Sequence, residues 1–280
     1  MIIWLASYPK SGNTFLRSLL SSYFFSTDGN FDFKYLKEIL QFPSNNIFEE
    51  IGVDISDKFE VSKNYIKAQE KINKNKTITF FKTHSSFCKM YNQFNFSDLK
   101  NSLGVIYIVR DPRNVLTSFS KHNSKSIEET ANLLINDKTI QNEKNEVEIY
   151  TGSWSFNYKS WKIFKPSDKY LLIKYEDLVK DTKKIFLEVL NFIERLSHTK
   201  FRISEDKISN IIETTKFERL QNLEKKFGFE EAQTNDKTGK KVQFFNLGPN
   251  NKWQNILTDE IQNKIELLFG DEMREIGYLK

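Results

Sequence analysis

The sequence predicts a single α/β domain over residues 1–280, with a mainly parallel central sheet flanked by helices. Three observations carry that expectation: short unbroken apolar runs recur along the chain, helix-spaced apolar positions stand between them, and a polar loop with a glycine follows the first run. The runs are "IIWLA" at 2–6, "ITFFKT" at 78–83, "GVIYIVR" at 104–110 and "KYLLIKY" at 169–175. Each is rich in β-branched or aromatic residues and lacks alternation, as strands buried on both faces do. Helical spacing joins Phe15, Leu16, Leu19, Leu20, Tyr23 and Phe24, then Ile185, Phe186, Val189, Leu190 and Ile193, and later Ile261, Ile265 and Leu268. In such sheets ligands sit beyond the carboxyl ends of the strands, so the residues after each run are the candidates for function. Residues 26–76 and 123–149 are rich in Asn, Lys, Glu and Ser with weak periodicity, and are expected to be helical or loop insertions with little functional signal. No internal repeat or Pro/Gly-rich linker divides the chain.

Composition agrees with one packed unit. A chain of 280 residues is within reach of one large α/β domain, and 39% hydrophobic content with 25 Phe is that of a globular core. The formal charge of +5 suits an anionic ligand, but no Lys/Arg stripe is interleaved with aromatics, so nucleic acid is not an expected partner. One cysteine, Cys88, excludes an internal disulfide framework and a Cys-based zinc site. Met1–Ala6 lacks the basic start and the length of a signal peptide, and no run of about 18 apolar residues exists, so neither a membrane span nor export is expected and the location is read as cytoplasmic.

The loop after the first run, "SYPKSGNTFLR" at 7–17, has to turn sharply into a helix. Gly12 can take positive φ, and the helix start presents unpaired N–H groups near Asn13 and Thr14. The helix dipole adds roughly half a positive charge there, Lys10 adds a full one, and Ser11 and Thr14 supply hydroxyl donors. The result is a cradle for an anion. The alternative is a solvated lysine beside a residue that merely caps a helix. The loop is not a Walker A motif, because Lys10 precedes Gly12 instead of following the second glycine of G-x-x-x-x-G-K-[ST].

The order Tyr-Pro-Lys-Ser-Gly-x-Thr resembles the 5'-phosphosulfate loop of the cytosolic-type sulfotransferases, which take sulfuryl from 3'-phosphoadenosine 5'-phosphosulfate (PAPS) and leave 3',5'-diphosphoadenosine (PAP). Further blocks follow in family order. "FKTHSSF" at 81–87 resembles the strand-end Lys-Thr-His that sets a lysine and a general-base histidine over the transferable group. "IYIVRDPRNVLTSFSKH" at 106–122 is similar to the 3'-phosphate segment, whose arginine and serine fall on Arg110 and Ser118. "GSWSFNYKSW" at 152–161, "LLIKYEDLVKD" at 171–181 and "TTKFERL" at 214–220 resemble other family blocks. The last two imply adenine contacts from Tyr175, Thr215 and Phe217, with Phe15 standing where the family usually has tryptophan. "LGPNNKWQN" at 247–255 is similar to the closing Gly-x-x-Gly-Asp-Trp-Lys-Asn segment, which implies that Asn246, Leu247 and Gly248 approach the cofactor.

The resemblance implies in-line sulfuryl transfer by a phosphate-loop-like α/β enzyme with no metal required. Such a transfer, like phosphoryl transfer, asks for positioning and charge stabilisation. Lys10 would neutralise the departing phosphate, and Lys82 would face the sulfuryl oxygens. His84 lies two residues beyond Lys82, on the same side of an extended segment, and would be the general base. His122 and His198 are expected to be ordinary core or surface histidines. Trp154, Trp161 and Phe156 are expected to pack, and the mixed-charge runs "EKKFGFEE" and "NDKTGKK" to be solvated surface.

Departures from the family are also visible. The Arg-Lys pair that usually precedes the closing glycine is replaced by Asn246-Leu247, which implies that Lys240, Lys241 or Lys252 substitutes, that the cofactor is held more weakly, or that the loop is set differently; Lys252 also replaces an aspartate. The family's C-terminal dimer motif is matched only by Thr258, so oligomeric state is left open. Two rivals remain: a nucleotide kinase using Asp111 for magnesium, and a phosphonucleotide-binding module without chemistry. The acceptor is expected to be a small molecule, sugar or lipid.

Overall fold

The computed structural model describes residues 1–141, 146–235 and 238–280. Strands β1 (Ile2–Ser7), β2 (Thr79–Thr83), β3 (Ser102–Val109) and β4 (Tyr170–Lys174) form one parallel sheet in the order β2-β1-β3-β4. All four coincide with the apolar runs of the sequence. Residues alternate across the sheet, so Ile2, Trp4 and Ala6 enter one core layer while Ile3 and Leu5 enter the other. Trp4 anchors the first layer among Phe42, Phe81, Phe96 and Trp161, and its indole N–H donates to Ser102 Oγ at 2.8 Å. Each side chain fully buried in these layers contributes about 1.5–3 kcal/mol, which keeps the strand ends in fixed register.

Helix α1 (Asn13–Phe25) follows the loop and packs Leu16, Leu19 and Leu20 on the second face, beside α3 (Thr182–Ser197) and α4 (Glu205–Thr214). Helix α2 (Pro112–His122) follows β3; Asp111 caps it by accepting from Arg113 N, and Pro112 stands at its first turn, where a missing N–H costs nothing. Helices α5 (Phe217–Phe227) and α6 (Asp259–Ile276) complete the frame. The insertion at 26–76 holds short helices, including Lys58–Lys63 and Tyr65–Asn73, and that at 123–149 holds the helix Ile127–Ile135. No helix among the described residues is long and apolar enough to cross a membrane.

Candidate active site

Register brings the strand tips together. Ala6 pairs with Thr83 and with Tyr107, and Val109 pairs with Lys174, so Ser7, Thr83, Val109 and Lys174 end along one edge. The residues immediately beyond them, Lys10, His84, Arg110 and Tyr175, line a single cavity of about 1290 Å³. Chain order reverses here, since β2 lies on one side of β1 and β3 on the other, which is where parallel α/β sheets leave a crevice.

The loop after β1 is tightly specified. Lys10 and Gly12 both take positive φ, 64° and 101°, which turns successive amides inward. A Cβ on Gly12 would stand 2.4 Å from the Tyr175 ring, so only glycine fits. Asn13 is turned inward, its Nδ2 donating to Leu5 O at 2.8 Å and Ser7 Oγ at 3.2 Å. Its side-chain amide therefore braces the loop, while Asn13 itself still lines the cavity, where the expected contact is through its backbone N–H. Ser11 is fully buried, its Oγ has no partner among the described residues, and it does not form part of the cavity wall, whereas Thr14 and Phe15 do.

Lys10 Nζ sits 3.8 Å above the centre of the Phe244 ring. Burial, followed by the Arg110 charge, lowers its pKa to about 7 against an opposing pull from Glu231. At the tip of β2, Lys82 Nζ donates to Glu231 Oε2 at 3.0 Å, and Arg17 Nη1 reaches the other oxygen of that carboxylate at 2.5 Å. Burial opposes ionisation of Glu231, but the two cations outweigh it and hold the carboxyl well below its ordinary range. His84 Nδ1 lies 2.8 Å from Ser7 O, and because a carbonyl can only accept, Nδ1 carries the proton and Nε2 keeps its lone pair. Burial and then the Lys82 charge push the imidazole down to about 3, so it is neutral at physiological pH.

Arg110 is free of Asp111. Its guanidinium lies 4.3 Å over the Tyr175 ring, donates to Lys10 O at 3.2 Å and Gly248 O at 2.9 Å, and keeps a buried Nε with no partner among the described residues. It thus ties the strand-tip loop to the closing segment. Asp111 belongs instead to Arg113, at 2.7 Å, which takes its carboxylate away from any magnesium role. Ser118, Phe217, Asn246, Leu247 and Gly248 line the same cavity, and a Cβ on Gly248 would stand 2.2 Å from the Phe217 ring. The closing segment is held by side chains: Glu224 accepts from the amides of Phe244 and Phe245 at 2.6 and 2.9 Å, and Asn251 Nδ2 donates to Asn114 O and Thr117 Oγ1, both at 2.9 Å.

Several expectations need correction. Thr215 is fully buried, outside the cavity wall, and its hydroxyl is bonded to Ile211 O at 2.7 Å. Lys240 and Lys252 do not line the cavity; Lys241 does, with its ammonium on Ala232 O at 2.8 Å. "EKKFGFEE" is not wholly solvated, because its first and last residues, Glu224 and Glu231, turn inward to bond the chain and two cations. The Phe-Gly-Phe at its centre was the available signal for a chain that doubles back. In "NDKTGKK", Asp236 and Lys237 lie outside the described residues. His122 lines the cavity, whereas His198 is an exposed residue at the end of α3. Gln41, Gln141 and Val147 also line it, so both insertions contribute to the cavity wall, which their pattern did not suggest.

A parallel sheet whose first strand feeds a left-handed, glycine-dependent loop, with lysines and a neutral histidine at adjoining tips, has the layout of a group-transfer enzyme of the phosphate-loop-like α/β class. The family model for the sulfotransferase domain matches residues 2–277, and the chain belongs to that family and is a sulfotransferase. It is 25% identical to flavonol 3-sulfotransferase of Flaveria bidentis over 98% of this chain and 82% of the relative. It is also 25% identical to sulfotransferase 1E1 of Homo sapiens, over 97% and 83%. Among solved structures, mouse sulfotransferase SULT7A1 complexed with PAP superposes with a TM-score of 0.59 at 19% identity, covering 97% of this chain and 84% of that one. Retinol dehydratase in a complex with retinol and PAP gives 0.60 at 15% identity, covering 97% and 81%. Both share the fold.

Proposed function

We propose that the chain, acting as one domain in the cytoplasm, moves the sulfuryl group of PAPS to a hydroxyl or amine of a small-molecule, sugar or lipid acceptor. The observation that carries this reading is that Lys10, Lys82 and His84 line one cavity at the tips of two paired strands. A nucleotide with anionic groups at both ends fits what the cavity leaves open: a buried Arg110 Nε without a partner among the described residues, and glycines at 12 and 248 where any side chain would collide. When bound, PAPS supplies an activated sulfuryl group on a phosphate leaving group.

The chain's own groups then divide the work. The loop amides and Lys10 take the charge that gathers on the 5'-phosphate, and Lys82 faces the sulfuryl oxygens. The Nε2 lone pair of His84 removes the acceptor's proton. Arg110 and Ser118, with the backbone at Asn246, Leu247 and Gly248, hold the 3'-phosphate, while Tyr175, Phe15 and Phe217 enclose the adenine. Thr215 is left out of this set. Relatives named for flavonols, amines, luciferin and 3-beta-hydroxysteroids support a small-molecule acceptor.

The test is calorimetric titration of PAP against ATP, with and without magnesium, followed by counting labelled sulfate transferred from PAPS to an acceptor panel. Preference for PAP that magnesium does not change, together with transfer, is the expected result. Magnesium-dependent preference for ATP would overturn it.

A further inference from the structure

Two polar side chains of the cavity wall have no task in sulfuryl transfer as laid out above. His122 ends α2 with its ring edge-on to Phe244, centroids 5.5 Å apart at 87°, and the face of that same phenylalanine carries Lys10. Its Nδ1 is buried without a hydrogen-bond partner among the described residues, and so is Nε2 of Gln141, on the strand Ile140–Gln141. Both residues line the cavity. Buried polar atoms are nearly always paired, so two unpaired ones lining one cavity point to a partner that arrives from outside.

The chemistry of that partner is constrained. Burial, and then the charges of Lys10, Lys82 and His84, hold the His122 imidazole down to about 3, so it is neutral and lies within electrostatic reach of the three groups assigned to transfer. A neutral imidazole offers one donor and one acceptor, which is the complement of an uncharged hydroxyl. The amide of Gln141 offers the same pair of functions. Gln41 and Asn123 extend the polar wall.

We propose that His122 binds a second hydroxyl of the acceptor while His84 takes the proton from the first, so that the acceptor is a polyhydroxylated molecule: a diol, a catechol or a sugar. This rests on the PAPS reading above. Gln141 provides a further contact for the same molecule, and specificity follows from the two unpaired groups, which a mono-alcohol would leave unsatisfied.

The test offers the protein and PAPS two matched pairs, phenol against catechol and cyclohexanol against cyclohexane-1,2-diol, and measures kcat/KM from labelled sulfate. In at least one pair the diol is expected to be preferred by roughly tenfold or more, the usual reach of one well-made hydrogen bond. His122→Phe keeps a ring but no polar atom, and should erase most of that preference through KM while PAP affinity holds. His122→Gln, which restores a donor and an acceptor, should recover part of it. Should the phenylalanine variant not fold, His122→Leu reads the same loss. Equal or better use of the mono-alcohol in both pairs, a preference that survives removal of the imidazole, or a PAP-binding protein that sulfates no member of either pair would each overturn the proposal. Failure to bind PAP would strike instead at the proposed function.

Discussion

The strand-tip side of the cavity and the segment that closes over it hold their charged groups by different means. On the first side, Lys10, Lys82, His84 and Arg110 follow directly from sheet register and from a loop whose shape is set by backbone angles. On the other, Phe244, Phe245 and Asn251 are anchored by side-chain bonds, with Glu224 on the amides of Phe244 and Phe245 and Asn251 on Asn114 and Thr117. Backbone register yields positions that a point substitution hardly moves, whereas side-chain bonds yield positions that a point substitution can release. Changes on the strand-tip side should therefore strike chemistry or a specific contact, and changes on the closing side should alter closure and stability together.

The largest effect should come from His84→Ala. Loss of a general base typically costs about 10² to 10⁴ in rate, and PAP affinity should stay near that of the parent because the imidazole is bonded to Ser7 O and not to the nucleotide corner. Steady-state rates and calorimetry would check both; loss of both together would make the histidine a structural element and erase the contrast. Arg110→Ala comes next, since this side chain belongs to both sides through Lys10 O and Gly248 O. PAP should bind more weakly by about 1.5–3 kcal/mol, roughly ten- to a hundredfold, and unchanged affinity in a titration would remove Arg110 from the site.

Glu231→Gln tests the seam between the two sides, because that carboxylate joins Lys82 and Arg17 to the closing segment. Removing its charge from two buried cations should destabilise the ligand-free protein by about 1–3 kcal/mol in chemical denaturation, part of the usual loss for a broken buried pair. The same change raises the positive charge facing an anionic nucleotide, so PAP should bind several-fold tighter. Weaker PAP binding with unaltered stability would contradict both halves.

The smallest effect is a pH dependence. With its pKa near 7 in the ligand-free protein, Lys10 is only partly protonated at neutral pH, and a bound anion raises that pKa, so binding takes up a proton. PAP affinity should accordingly be greatest below pH 7 and fall above it, by at most about tenfold per unit. Titration in buffers of different ionisation enthalpy would count the proton, and Lys10→Met should flatten the slope.

The same contrast explains what the sequence disclosed. All four strands and the long helices α1, α3 and α6 were legible because burial on both faces of a sheet, or on one stripe of a helix, leaves a periodic mark in the chain itself. That Lys10, Lys82, His84 and Arg110 share one cavity was legible for a related reason: each lies at or just beyond the end of a readable strand, and sheet register brings the strand ends together. Glu224, Glu231 and His122 were hidden because their partners lie far away in sequence, Glu231 meeting Arg17 and Lys82 across the whole domain. Nothing local separates a carboxylate that turns inward from its solvated neighbours. Thr215 erred in the other direction, since a hydroxyl near a helix end can satisfy the preceding turn as readily as a ligand.

Arg113 fastens more than its own helix. Besides Asp111 it holds Glu266 at 2.6 Å and the carbonyl of Tyr278 at 3.2 Å, and the phenol of Tyr278 donates to Glu176 Oε2 at 2.7 Å, while Oε1 of that glutamate receives the amide of Asp111 at 3.2 Å. The last residues of the chain are thus knotted beneath the corner where β3 delivers Arg110. Trimming three residues from the carboxyl end to help crystals grow, or fusing a bulky tag there, would disturb that knot. An affinity handle placed before Met1, at the opposite edge of the sheet, would leave the corner intact.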